Sequence, residues 1–343
     1  MNRRNLLLLG GAAGGTVAAA ILLTPDRAEP PPSSTIPLAF PNLAARLATA
    51  GAIEVRRHDG TLLVKREGPD RWVLPVKSDY PVRPERVREL LVGLTELRFT
   101  EPRTANPEML ERLGVDDPTR PGSTASLLRV LDAQGAPIVE LVIGRRRMRM
   151  QGNVPETVYV RRPNEAQTWL AEGRLPLDGD PNLWIDRDLT NIARERVRSL
   201  RVTRENEVTL LLRRGPDGDA PLLVIEPAET PALDEISLDE AARAFEFLTL
   251  LDVKRAADIP GDKLGEGRFE LTDNLSITVT AHRDGDALWV LLAAGGDEEA
   301  ARFNARWRGF AYQVGAWKEK AFVPRLVDLL KQAAEPPATP APQ

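Results

Sequence analysis

From Ile53 onward the chain alternates apolar and polar positions in short runs broken by glycine-containing turns, the period-two pattern of half-buried strands. Ile53-Glu54-Val55-Arg56-Arg57 turns at Asp59-Gly60 and returns as Thr61 to Lys65, and Arg71 to Val76 supplies a third strand. The period then lengthens. Across Arg83 to Phe99, the residues Val87, Leu90, Leu91, Leu94 and Leu97 recur at three- and four-residue intervals, predicting an amphipathic helix with Pro84 in its first turn. Asn106-Pro107 opens a shorter helix through Met109, Leu110 and Leu113 that stops at Gly114. Ser126 to Leu131 with Ile138 to Ile143 predicts a hairpin, Val158-Tyr159-Val160 a strand, and Trp169-Leu170 a closing helix.

The same order recurs about 150 residues further on. Leu200 to Glu207 and Val208 to Arg213 repeat the first hairpin, Asp217-Gly218 turns, and Leu222 to Ile225 gives the third strand. Ser237 and Glu240 read as a capping box for a helix burying Ala241, Phe245 and Leu248, and Leu264-Gly265 stands where the short helix stood. Ser276 to Ala281 and Ala287 to Leu292 form the matching hairpin across Asp284-Gly285. Ala311-Tyr312-Gln313 supplies the tyrosine strand, and Val323 to Leu330 the last helix, with Pro324 in its first turn. The lead-ins Phe40 to Ala50 and Trp184 to Arg196 match loosely. Short turns pair strands antiparallel, and intervening helices cover one face. The expected fold is therefore α+β: an N-terminal transmembrane helix followed by two tandem, similar modules of antiparallel sheet with packed helices, at residues 42–182 and 183–334.

The N-terminus changes the picture most. Leu6 to Leu23 carries no charge, Arg3 and Arg4 precede it, and Thr24-Pro25-Asp26 follows. Such a run just spans a bilayer, and the arginines before it hold the N-terminus in the cytoplasm. The expectation is a single-pass anchor of the inner membrane, residues 1–24, with a periplasmic body. A cleaved signal peptide or a twin-arginine export signal at Arg3-Arg4 is the alternative, and either also exports the body. Residues 25–41 hold Pro25, Pro30, Pro31, Pro32, Pro37 and Pro41 and read as a stalk, while 335–343 reads as a disordered tail.

Composition narrows the chemistry. Over 343 residues, 42% are hydrophobic and 28% charged, enough to bury a core. No cysteine is present, so disulfides, thiol nucleophiles and thiolate metal sites are excluded. A net charge of −4 lacks the basic field that nucleic-acid binding needs. Arginine outnumbers lysine 39 to 7, which suits carboxylate or phosphate recognition or reflects coding bias.

Several segments carry a resemblance. Leu113-Gly114-Val115-Asp116-Asp117-Pro118, the strand end Ile143-Gly144, Val158-Tyr159-Val160-Arg161 and Trp184-Ile185-Asp186-Arg187-Asp188-Leu189 together resemble the DUF4340 family of bacterial proteins. Tyr80-Pro81, Val87 to Leu97 and Arg145-Arg146-Arg147 are similar to its alphaproteobacterial members. The resemblance spans roughly residues 40 to 330 and rests on the order and spacing of these segments. It implies one N-terminal membrane segment and an accessory role beside gliding-motility-type ABC transport systems, and it supplies no catalytic residues.

No catalytic constellation stands out, and no cofactor or metal is expected. His58 and His282 each lie beside an Asp-Gly turn, where a general base and a solvated hairpin tip are the competing readings. The adjacent carboxylates Asp116-Asp117 and Glu298-Glu299 point apart and suit a solvated surface. Gly10 to Gly15 falls within the apolar run and suits helix packing. Six tryptophans offer either a carbohydrate platform or core packing. The candidate binding residues are Arg145, Arg146, Arg147, Arg149, Arg161 and Arg162, a cluster for an anionic partner or a charged sheet edge that discourages aggregation. The expected function is that of a non-catalytic, membrane-anchored periplasmic accessory protein beside an ABC-type permease or other envelope proteins. An envelope-glycan or anionic-lipid binder and an exported hydrolase are the alternatives.

Overall fold

The computed structural model describes residues 36–147, 156–215 and 220–331. The predicted transmembrane run at 6–23 and the tail at 335–343 lie outside them. Among the described residues no helix is long and apolar enough to cross a membrane.

The alternation that begins at Ile53 becomes β1 (Ala50–Arg57), and Asp59-Gly60 turns it into β2 (Gly60–Arg66). There follow β3 (Trp72–Leu74), β4 (Tyr80–Pro81) and β5 (Arg98–Pro102), then β6 (Ser126–Asp132), β7 (Pro137–Arg147), β8 (Thr157–Arg161) and β9 (Thr168–Glu172). They form one antiparallel sheet in the order β4-β3-β2-β1-β6-β7-β8-β9-β5. A short helix α1 (Leu43–Leu47) leads in. The long helix α2 (Pro84–Glu96) buries Val87, Leu90 and Leu94, with Leu97 just beyond its end, as the three- and four-residue spacing requires. Its Gly93 is there for space: a Cβ would lie 2.1 Å from the carbonyl oxygen of Arg174. The helix α3 (Leu110–Leu113) stops at Gly114, whose φ of 67° is the left-handed conformation glycine tolerates. It packs with Val115 and Ala125 on Val142, one residue out of phase with Leu141 and Ile143 and so on the opposite face of the sheet.

A two-stranded ribbon, β10 (Asp188–Thr190) with β14 (Leu248–Thr249), stands between this sheet and the next. The second sheet holds β11 (Val197–Thr203), β12 (Leu210–Arg214), β13 (Leu222–Glu226), β15 (Asp252–Arg255), β16 (Asp262–Leu271), β17 (Ser276–Asp284), β18 (Ala287–Gly295) and β19 (Phe310–Val314). Its order is β13-β12-β11-β16-β17-β18-β19-β15. Set β4 aside and the first sheet runs β3-β2-β1-β6-β7-β8-β9-β5, the same topology strand for strand. The helices α4 (Glu235–Ala242), α5 (Glu298–Trp307) and α6 (Glu319–Phe322) accompany the second sheet. The fold is mixed α/β, mostly antiparallel sheet with few helices.

This topology shifts the expected correspondence by one strand. The hairpin β6-β7 matches β16-β17, not the β17-β18 hairpin at 276–292, and Tyr159 on β8 does not match Tyr312 on β19. Leu264-Gly265 is strand, not helix. Its glycines answer to crowding: a Cβ on Gly267 would lie 2.1 Å from the carbonyl oxygen of Phe322, where α6 crosses β16. Trp169-Leu170 is likewise strand, because β9 has β8 on one side and β5 on the other. The expected helix at 323–330 is a 3-10 turn, Leu326–Leu329, with Arg325 capping it and Pro324 before the cap. The helix α4 is capped by Asp234, which accepts from the amide and hydroxyl of Ser237, so no Ser237-Glu240 box forms. Phe245 and Leu248 are buried as expected, but in the turn and ribbon after the helix. The end of the expected stalk packs on the body: Ala39 is buried and its amide donates to the Leu97 carbonyl at 2.7 Å.

One continuous apolar core runs through both sheets. At the seam Val82 bridges to Ile185, and the Arg83 amide donates to the Trp184 carbonyl at 2.8 Å. Tyr80 on β4 meets Phe310 on β19 edge to face, with ring centroids 4.9 Å apart. Two ion pairs flank the contact, Lys77 to Asp252 at 2.7 Å and Arg255 to Asp79 at 3.0 Å.

Candidate functional site

A half-open cleft of about 620 Å³ lies on this seam, with both sheets in its walls. Pro84 at the first position of α2 leaves Arg83 extended as the cap residue at its mouth. Across from it, the helix α5 ends at Arg308, whose amide donates to the Asn304 carbonyl, and Gly309 with φ of 86° turns the chain into β19. Arg306 therefore faces inward from the last turn of α5 while Arg308 stands at its exit. Arg71 and Arg255 complete a set of five arginines, against which Glu85 and Asp186 are the carboxylates in the lining. With Asp79 and Glu67, which pair with Arg255 and Arg71 just outside the lining, the site keeps a single surplus positive charge in a chain whose total is −4.

Most of these guanidinium groups are held. Arg306 pairs with Asp186 at 2.8 Å, Arg255 with Asp79 at 3.0 Å, and Arg83 donates to the Leu183 carbonyl at 2.8 Å through one nitrogen. Arg71 meets Glu67 at 3.4 Å. Arg308 is exposed and has no partner among the described residues, and the fork of Arg83 has donors left over. The floor is aromatic. Arg255 lies over the Phe310 ring at 5.2 Å, and the Tyr312 hydroxyl donates to the Arg306 carbonyl at 3.2 Å. Burial, with the Tyr80 hydroxyl nearby, pushes the Tyr312 phenol far above the ordinary tyrosine range, so it stays protonated. Fixed guanidinium groups on an apolar floor suit recognition of a carboxylate or phosphate.

The arginines singled out in the sequence are divided by the fold. Arg145, Arg146 and Arg147 end β7, and Arg161 ends β8; β7 pairs with β6 only as far as Ile143, so the three arginines run on beside β8 alone. Arg149 lies outside the described residues. Arg161 donates to the carbonyls of Val115 and Pro163, each at 2.9 Å, and desolvation lowers its pKa. Arg162 donates to the Ala39 carbonyl and lies over Phe99 at 5.1 Å. Arg146 donates to the Leu175 carbonyl. Arg145 and Arg147 are exposed like Arg146 but have no side-chain partner among the described residues.

The remaining candidates do not converge. His58 is exposed at its turn, and His282 sits on β17 with Nδ1 3.3 Å from the Gly261 carbonyl. Asp116 is buried beneath Arg120 rather than solvated, and Asp117 caps Thr119, which lowers its pKa. Glu299 takes a two-pronged bond from Arg196 at 2.8 and 3.0 Å, which holds its carboxyl below the usual range. Among the described residues no group of acidic and histidine side chains could hold a metal ion. Trp72, Trp184, Trp289 and Trp307 are buried and Trp317 is exposed, so no tryptophan platform forms.

Sequence reasoning missed the cleft because its arginines are spread from Arg71 to Arg308 with no local spacing to link them. The one usable signal was Pro84 beside Arg83. No curated protein and no solved structure matches the chain. A family model described as a domain of unknown function, DUF4340, matches residues 72–266, more than half of the chain and across the seam from β3 to β16, and the protein belongs to that family.

Proposed function

We propose that this is a non-catalytic accessory protein of the cell envelope, held in the inner membrane by residues 6–23 with its body in the periplasm, which acts by contact with an ABC-type transport system. The body is a tandem duplication, with modules at 42–182 and 183–334. The observation that carries the binding role is the arginine-lined cleft to which both sheets contribute, positive within an acidic chain. The uncharged run behind Arg3 and Arg4 supports the anchor, and the shared strand order supports the duplication.

Crosslinking in intact cells followed by purification from membranes tests the role. Recovery of a transporter or envelope subunit, reduced by Arg308→Glu, is the expected result. Recovery of no such subunit refutes it. Release of the full chain by salt washing alone, without detergent, refutes the anchor.

A further inference from the structure

The seam cleft continues past Arg308. A second depression of about 610 Å³ shares Ala305 and Arg308 with it and runs beside α5 over Gly295, Gly296, Ala300 and Ala301. The two form one open groove, arginine-lined at one end and floored by small residues at the other. Groups without long side chains let another backbone lie close. Arg308 stands at the junction with its full fork free.

We propose that this groove binds an extended acidic peptide segment of a partner protein, with carboxylates on Arg83 and Arg308 and the peptide backbone along the floor of Gly296 and Ala301. The inference rests on the non-catalytic binding role and adds the chemistry of the partner. Two features favour a peptide over a denser anion. Glu85 and Asp186 stand in the cleft and Asp297 in its extension, so a polyphosphate or a charged bilayer meets repulsion at three places. The groove is open along its side, and its two depressions suit an elongated ligand.

The test uses the full chain in detergent. Its probes are a panel of fluorescein-labelled short peptides bearing several Asp or Glu, and the same peptides carrying Asn or Gln. Expected are acidic peptides whose affinity falls about tenfold with Arg83→Glu or Arg308→Glu and falls with added salt. The double change Arg145→Glu with Arg147→Glu leaves it unaltered. The Arg308 side chain makes no hydrogen bond or ion pair among the described residues, so an unchanged melting temperature separates lost binding from lost structure. The proposal is overturned if no acidic peptide shows Arg308-dependent binding, or if the amide peptides bind equally. Arg308-dependent binding of tripolyphosphate or phosphatidylglycerol vesicles in place of peptides overturns it too. Peptide binding without an envelope partner in the crosslinking experiment removes only the accessory role. A crosslinked partner unaffected by Arg308→Glu, with no peptide bound, removes only the groove.

Discussion

Replacing Tyr80 by alanine tests whether the two sheets hold each other up. Tyr80 is 3% exposed and meets Phe310 at 4.9 Å and Tyr312 at 6.1 Å, both edge to face. Truncating a buried aromatic ring costs about 3–5 kcal/mol, of which each edge-to-face pair accounts for about 0.5–1.5 kcal/mol. With about 280 described residues at about 2.1 cal/mol/K each, the entropy of unfolding is about 0.6 kcal/mol/K, and the loss becomes a fall of about 5–8 °C in the midpoint. Tyr80→Phe keeps both ring contacts and loses only a hydroxyl beside Tyr312, about 1 kcal/mol or about 2 °C. Differential scanning calorimetry of the wild type and both variants measures this. A single transition in the wild type, displaced strongly by alanine and weakly by phenylalanine, is expected. A fall under about 2 °C for Tyr80→Ala, or equal falls for the two variants, refutes the claim that the aromatic seam couples the sheets.

Three further outcomes follow from the packing. Gly93→Ala improves helix propensity yet drives a Cβ to 2.1 Å from the Arg174 carbonyl oxygen, so urea unfolding shows a net loss of about 1–3 kcal/mol; a gain would mean that the loop yields freely. Lys318 is 3% exposed, donates to the carbonyls of Ala244 at 2.7 Å and Arg243 at 3.1 Å, and burial lowers its pKa from 10.5 to about 8 even with Glu246 and Glu240 nearby. Between those two values the unfolded chain binds more protons than the folded one, so the cost of burying the charge is full below pH 8 and fades as pH rises toward 10.5. The stability of the wild type relative to Lys318→Met therefore rises from pH 7.5 to 9.5 in parallel denaturant titrations, and a flat difference contradicts the assignment. Arg161→Met strands the Val115 and Pro163 carbonyls at about 1–3 kcal/mol each, whereas Arg145→Glu stays within about 0.5 kcal/mol; equal effects in thermal melts would erase the distinction between them.

The strands were legible where burial alternates cleanly. Ile53 and Val55, or Ile277, Val279 and Ala281, point to one buried face, and the Asp-Gly turns beside them close as hairpins. The helix at 84–96 was legible for the same reason at its own period. Two segments were read wrongly as helix. Trp169-Leu170 lacks alternation and Leu264-Gly265 carries a glycine, and in each case the neighbouring strand decided. The repeat was visible as an order of elements, yet its alignment slipped by one strand because adjacent hairpins share the same pattern.

The arginines show the sharper divide. Six of them clustered in sequence, and the fold tied Arg146, Arg161 and Arg162 to backbone carbonyls. Local periodicity, turn residues and the uncharged run at 6–23 follow from the chain alone, because each depends on neighbours within a few positions. The cleft required tertiary structure. It joins Arg83 to Arg308 across the seam, and that proximity comes from two sheets sharing one core, a long-range contact that no short stretch of sequence encodes.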